Sequence, residues 1–243
     1  MRLDGLRRVL DAREEPVAFW LRDDDAVAPS AALDLLLGLE VPVTVAVIPA
    51  PSGAALAGRL AGAAGVSVAV HGWTHANHAG PGEKAQELGA HRPVEEVAGE
   101  LARGFAHLAA LHGERFVPLL VPPWNRIAPG VEAVLPGLGF RALSVFGPSR
   151  PFSAWPGLLP RVNAHVDLID WRGTRGGRSA EELEAGVITA MAAGGPVGIL
   201  AHHLVHDGAA WGFLAALGEV VTAHPMARWA GVGALVPGLG AGG

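Results

Sequence analysis

The chain contains no cysteine and no tyrosine, a single lysine at Lys84, and only 17% charged residues among 243. The lack of cysteine excludes disulfides, thiolate metal sites and cysteine nucleophiles, and leaves the compartment open. Basic residues form no run or stripe, and the formal net charge is −5. Nucleic acid and anionic membrane surfaces are therefore not expected partners. Every apolar stretch is cut by Pro, Gly or Arg before it reaches membrane-spanning length. The opening "MRLDGLRRVLDAREEP" has no apolar core of signal-peptide length and reads instead as a short amphipathic helix. The expectation is a soluble, cytoplasmic protein.

What is present is apolar: half of the residues, enough for a large core. Seven short apolar or β-branched runs recur, at 16–22, 41–49, 65–72, 115–123, 139–147, 161–171 and 195–203. They lack strict alternation, as strands buried on both faces of a parallel sheet do. Helix-like segments lie between most of them, at 30–38, 53–64, 93–112, 130–137, 180–193 and 209–222. The clearest has Ser179 as its cap, early acids and a glycine stop. This alternation predicts an α/β fold, with a length suited to a closed or nearly closed barrel; an open doubly wound sheet is the alternative. No linker or repeat divides the chain, so one domain over 1–243 is expected, with its core at about 17–225. The glycine-rich end from 231 onward is expected to fray.

Polar residues gather where the strands end: "RDDD", "HGWTH", "PPWN", "DLIDW" and "HH". In parallel α/β folds that edge is where separated segments assemble a site. Asp23, Asp24 and Asp25 form a row of like charges that a divalent cation would relieve, although a solvated turn or a helix cap explains the row equally well. His71 and His75 stand at i,i+4, which on a helical turn places both rings on one side, able to share an ion; packing or capping is the plain alternative. Two imidazoles and one carboxylate make a common catalytic metal set with open positions. His78 extends that site or lines the cleft. His202, His203 and His206 offer proton donors, and for His206 packing is the expected role. Asp167 and Asp170 beside Trp171 offer a carboxylate to orient an imidazole. Trp124 and Asn125, in a loop stiffened by Pro123, suit stacking on a sugar ring, or a core position.

In order and over residues 17–206, these segments resemble the polysaccharide deacetylase family, carbohydrate esterase family 4, whose catalytic unit is the NodB homology domain. The resemblance implies a distorted (β/α)7 barrel. "LRDDD" matches the family's "TFDDG", which puts the catalytic base on Asp23 and a metal ligand on Asp24, with Asp25 where the family has glycine. "HGWTH" matches "H-S/T-x-x-H" and makes His71 and His75 the imidazole ligands. "VPPWN" resembles "R-x-P-Y/F-G", but the family's arginine falls on Val121; Arg126 and Arg22 are the candidates to replace it. "DLIDW" matches "D-x-x-D-W" fully, assigning Asp170 to steady the acid and Trp171 to the pocket wall. "LAH" matches "L-x-H", making His202 the general acid, with His203 where the family has aspartate. Pro123, Trp124, Asn125, Trp171, His78 and His203 are the expected substrate-binding residues.

The implied reaction is metal-dependent hydrolysis of an acetyl group, N-acetyl before O-acetyl, from a carbohydrate or a similar small acetylated substrate. The implied cofactor is one divalent ion, zinc first. The segment 76–94, long for a connection, is expected to wall the site and shape substrate choice. Two alternatives stand beside this reading: a metal hydrolase acting on a non-sugar amide or a phosphoester, and a barrel that binds carbohydrate without catalysis.

Overall fold

A computed structural model describes residues 1–148 and 159–240. All seven expected strands are present and parallel: β1 (Val17–Ala26), β2 (Val43–Val47), β3 (Val66–Val70), β4 (Phe116–Leu120), β5 (Ala142–Leu143), β6 (Val166–Asp167) and β7 (Val197–Ala201). They are ordered β5-β4-β3-β2-β1-β7-β6, and a short β8 (Ala227–Trp229) pairs with the start of β1. The expected helices are α2 (Ala31–Leu37), α3 (Ala54–Ala61), α4 (Val94–His112), α5 (Pro129–Val134), α6 (Ala180–Ala193) and α7 (Gly208–Ala223), preceded by α1 (Asp4–Asp11). The start of α6 is fixed as its sequence implies: Ser179 and Glu182 form a reciprocal capping box.

The sheet curls until its edges meet, giving a distorted (β/α)7 barrel. Residues 161–164 bridge β5 at Leu143–Arg161 and the residues after it at Phe146–Ala164, and His165 N–H then donates to Gly198 O at 2.7 Å on β7. This explains why β6 is shorter than the apolar run 161–171 suggested. The first half of that run pairs toward β5 and only its middle pairs with β7.

Strand alternation sorts the side chains into two clusters. Phe19, Leu21, Val43, Val45, Val66 and Val68 face the helices in the main core. Trp20, Ala46, Ala69, Leu119 and Val121 face the barrel interior, where the alanines leave room for the indole. That two-sided burial is why the strands read as continuous apolar runs. The C-terminal segment does not fray as expected: α8 (Val232–Leu235) and the residues after it bury Val232, Val236 and Leu239 against the interior cluster. Residues 241–243 lie outside the described residues. No helix among the described residues is long and apolar enough to cross a membrane.

Gly198 lies where β7 meets the closing segment. A Cβ there would overlap Asn163 O, Trp20 Nε1 and Ala164 Cα. Gly198→Ala is therefore expected to lower stability by about 1–3 kcal/mol through overpacking, read from the midpoint of urea unfolding.

Candidate active site

Because the strands are parallel, their C-terminal ends share one rim, and the polar motifs open there into a cleft of about 560 Å³. The aspartate row is divided among three jobs. Along β1, Trp20, Arg22 and Asp24 point inward, and Asp23 points to the other side, as period-two alternation requires. There Asp23 meets the loop after β7: His203 N–H donates to Oδ1 at 2.8 Å and His203 Nδ1–H to Oδ2 at 2.6 Å, with both side chains fully buried. Neither residue lines the cleft, so Asp23 is not positioned as the expected base, nor His203 as a substrate contact. Burial alone would push the His203 imidazole down, but the bond and charge of Asp23, with Asp25 beyond, outweigh it and raise it.

Asp25 should follow Asp23 to the outer side. Instead the β1–β2 register slips between Asp23 and Ala26, and Asp25 has φ +73°. This bulge re-aims its carboxylate into the cleft, where Oδ1 lies 3.1 Å from His71 Nε2 and 3.3 Å from His75 Nε2. The three ligand atoms all fall within 4.8 Å of one another. The carboxylate beside the imidazole pair is thus Asp25, where the motif match expected Asp24. Burial raises the Asp25 carboxyl, but hydrogen bonding and charge from His71, with His202 and His75, pull it well below the usual carboxylate range.

The two imidazoles come together at the end of β3 through a tight turn and not a helical one, with Gly72 at φ +63° and His75 at φ +61°. His71 Nδ1–H donates to Val121 O at 2.9 Å, which orients the ring so that Nε2 faces Asp25. The ring centroids of His71 and His75 are 5.2 Å apart, and Trp124 packs 4.2 Å from His75. Burial lowers both imidazoles; for His71 the charges of Asp24 and Asp25 reverse the outcome, whereas His75 stays low, with His71 adding to burial. Such a set, with one imidazole locked by its far nitrogen and a carboxylate between the two, fits a divalent ion.

Of the two arginines considered in place of the one missing at Val121, Arg22 is paired with an aspartate of the row. Its Nη2 donates to Asp24 Oδ2 at 3.0 Å and to Asn125 Oδ1 at 2.6 Å, and Nη1 donates to Ser144 Oγ at 2.8 Å. Nε lies 3.0 Å from Asp24 Oδ1 but is not aligned for a hydrogen bond, so that oxygen keeps no donor among the described residues. Arg126 also lines the cleft, with its Nη1 donating to Ala85 O. Asn125 sits at φ +58°, which turns its amide under the guanidinium.

Across the cleft, His202 Nδ1 lies 4.0 Å from Asp167 Oδ1. Trp171 Nε1–H holds the other oxygen of Asp167 at 2.9 Å and packs its ring edge-on 4.8 Å from His202. Burial pushes the Asp167 carboxyl up, against the pull of His202 and its two donors. Asp170, expected in this place, is turned out of the cleft and instead accepts from the N–H groups of Gly173 and Thr174. His206 Nε2 accepts from His202 N–H at 3.2 Å, and burial pushes its imidazole down to about 4.

Trp124, Asn125 and Trp171 line the cleft as expected; His78 and Pro123 do not. Pro123 is buried behind Gly72. Phe146 and Arg172 also line it, although no motif pointed to them. None of the lining residues comes from 76–94, so that segment backs the site where a wall was expected. The buried Asp23–His203 pair generates one expectation. Asp23→Asn, which leaves His203 without its counter-charge, lowers stability by about 3–5 kcal/mol, measured by chemical denaturation.

No protein-family model matches the chain, and no curated protein matches it either. Solved structures do. A Mycobacterium smegmatis protein assigned as a polysaccharide deacetylase superposes with a TM-score of 0.71 at 17% identity, over 94% of this chain and 91% of that one. A family 4 acetyl xylan esterase from Clostridium thermocellum, in complex with a cobalt ion, matches at TM-score 0.56 and 16% identity over 90% and 89%. A peptidoglycan deacetylase from Bacillus subtilis matches at TM-score 0.55 and 16% identity over 91% and 90%. The chain has the fold of the family 4 carbohydrate esterases and polysaccharide deacetylases.

Proposed function

We propose that the cleft hydrolyses an acetyl group, N-acetyl before O-acetyl, from a sugar or a similar small acetylated substrate, with one divalent ion, zinc first, held by Asp25, His71 and His75. The observation that carries this reading is the convergence of those three ligand atoms within 4.8 Å, between a buried carboxylate on one side and an imidazole on the other. Neighbours of the same fold, an acetyl xylan esterase and a peptidoglycan deacetylase, support this reading.

A divalent ion in such a set supplies Lewis acidity toward an acetyl carbonyl and toward water. The protein's own groups supply the proton transfers. Asp24, which lines the cleft beside the ligand set and is held by Arg22 at Oδ2, is the residue proposed as base: its carboxylate takes a proton from the attacking water as the water oxygen bonds to the carbonyl carbon. His202 delivers a proton to the departing nitrogen as the C–N bond breaks, releasing acetate and the amine. Asp167 sets a carboxylate 4.0 Å from His202 Nδ1, where its negative charge faces the ring, and His206 steadies the backbone of the same residue. Trp124, Trp171 and Phe146 offer apolar faces on which a sugar ring can stack.

Acetate release and bound metal, measured together, test each role. His202→Ala is expected to lose about 100- to 10,000-fold in turnover with its metal content unchanged. Asp25→Asn and His75→Ala are expected to lose metal and activity together. Asp24→Asn is expected to keep its metal and lose turnover. If Asp24→Asn shed the ion and Asp25→Asn retained it, the two aspartates would have to exchange roles.

A further inference from the structure

Glu87 is a buried carboxylate that the proposed proton transfers do not use. It is 1% exposed, comes from the 76–94 segment, and stands behind the cleft, outside its lining. Its two oxygens collect four donors from three consecutive residues of the histidine turn. Oε1 accepts from Thr74 N–H at 2.8 Å, Thr74 Oγ1–H at 3.0 Å and His75 N–H at 3.1 Å, and Oε2 accepts from Trp73 N–H at 3.1 Å. Successive N–H groups aimed at one point form an anion cradle, and here the anion is part of the chain.

The turn cannot hold this shape without such a partner. Gly72 and His75 both have left-handed backbones, and the N–H groups between them point to one side with no ladder or helix to receive them. Gly72 is matched to Glu87: a Cβ at position 72 would overlap Glu87 Oε2 and the Pro123 ring. A serine or threonine, which the family motif has at this position, would fill the volume the carboxylate occupies. Glu87 is itself held from both sides. Gln86 O accepts from His78 N–H at 3.0 Å, and the fully buried Leu88 accepts from Ala128 N–H at 2.8 Å and bridges Ile127.

We infer that Glu87 is a positioning residue for the metal site: it fixes the turn between His71 and His75 so that both Nε2 atoms meet Asp25. This inference rests on the reading of Asp25, His71 and His75 as the ligand set. His75 is the ligand under direct control, because its own N–H is one of the four bonds, while its ring packs against Trp124 and His71 and faces Asp25. Groups that orient a ligand from behind commonly contribute 10- to 100-fold in metal affinity.

The test is a competition titration of zinc into metal-stripped wild type, Glu87→Gln and Glu87→Ala, with thermal unfolding of each metal-free protein alongside. Glu87→Ala is expected to bind zinc about 10- to 100-fold more weakly. Glu87→Gln keeps an oxygen for the Thr74 and His75 donors but turns an NH₂ toward Trp73 N–H, so its loss is expected to be intermediate. Cobalt-loaded variants should show an altered visible absorption, and kcat should fall with KM little changed. If both variants fold, or Glu87→Gln alone does, and zinc affinity stays within about twofold of wild type, Glu87 is structural only and the inference is overturned. Wild type that takes up no divalent ion would overturn the ligand assignment itself, and this inference with it.

Discussion

A β-strand sends neighbouring side chains to opposite sides, and β1 has to place two neighbouring carboxylates, Asp24 and Asp25, in one cleft. The chain resolves this with a bulge: the register against β2 slips after Asp23, and Asp25 takes a left-handed backbone that returns its carboxylate to the inward side. The rest of the site follows from that slip. Asp23 is left facing outward to meet His203, Asp24 faces Arg22, and Asp25 faces the imidazoles. Three identical residues in a row thereby acquire three environments. Bulges recur beside active sites for this reason, since they re-aim one side chain at the expense of one ladder step.

The same arrangement manages the cost of burying charge. Asp23 and Asp24 are almost completely buried, and each has its own cation or imidazole at hydrogen-bonding distance. Arg22, itself buried, reaches Asn125 and Ser144 as well, so its donors tie β1 to the loops after β4 and β5. Asp25 is the exception. It is a third exposed and lies between two imidazoles, so its charge remains available to a cation from outside.

Much of this was legible from the sequence. The seven apolar runs are the seven strands, because burial on both faces leaves an uninterrupted signature. The helices between them carry their own caps, as Ser179 illustrates. His71, His75, Trp124, Trp171 and His202 all reach the cleft because strand ends of a parallel barrel share a rim. What was not legible depends on local backbone twist or distant packing. No letter in "RDDDA" announces a bulge, so the aspartates could be matched to the family motif in either of two registers. Asp167 and Asp170 are both plausible partners for His202, and only the turn that Asp170 caps shows which one is used up. Glu87 stands in a segment without any motif; its one trace was a glycine at 72 in place of a hydroxyl residue.

The Asp23–His203 bond has a consequence for the range of molecules the cleft can admit. Asp23 is joined by one peptide unit to Asp24, and His203 by one to His202, so a single buried linkage yokes the two sides of the cleft together at their base. The spacing of β1 and the loop after β7 at the base of the cleft is thereby fixed by buried scaffold contacts. Variation in what this barrel accepts would fall to side chains at the far lip, where Phe146 and Arg172 line the cleft.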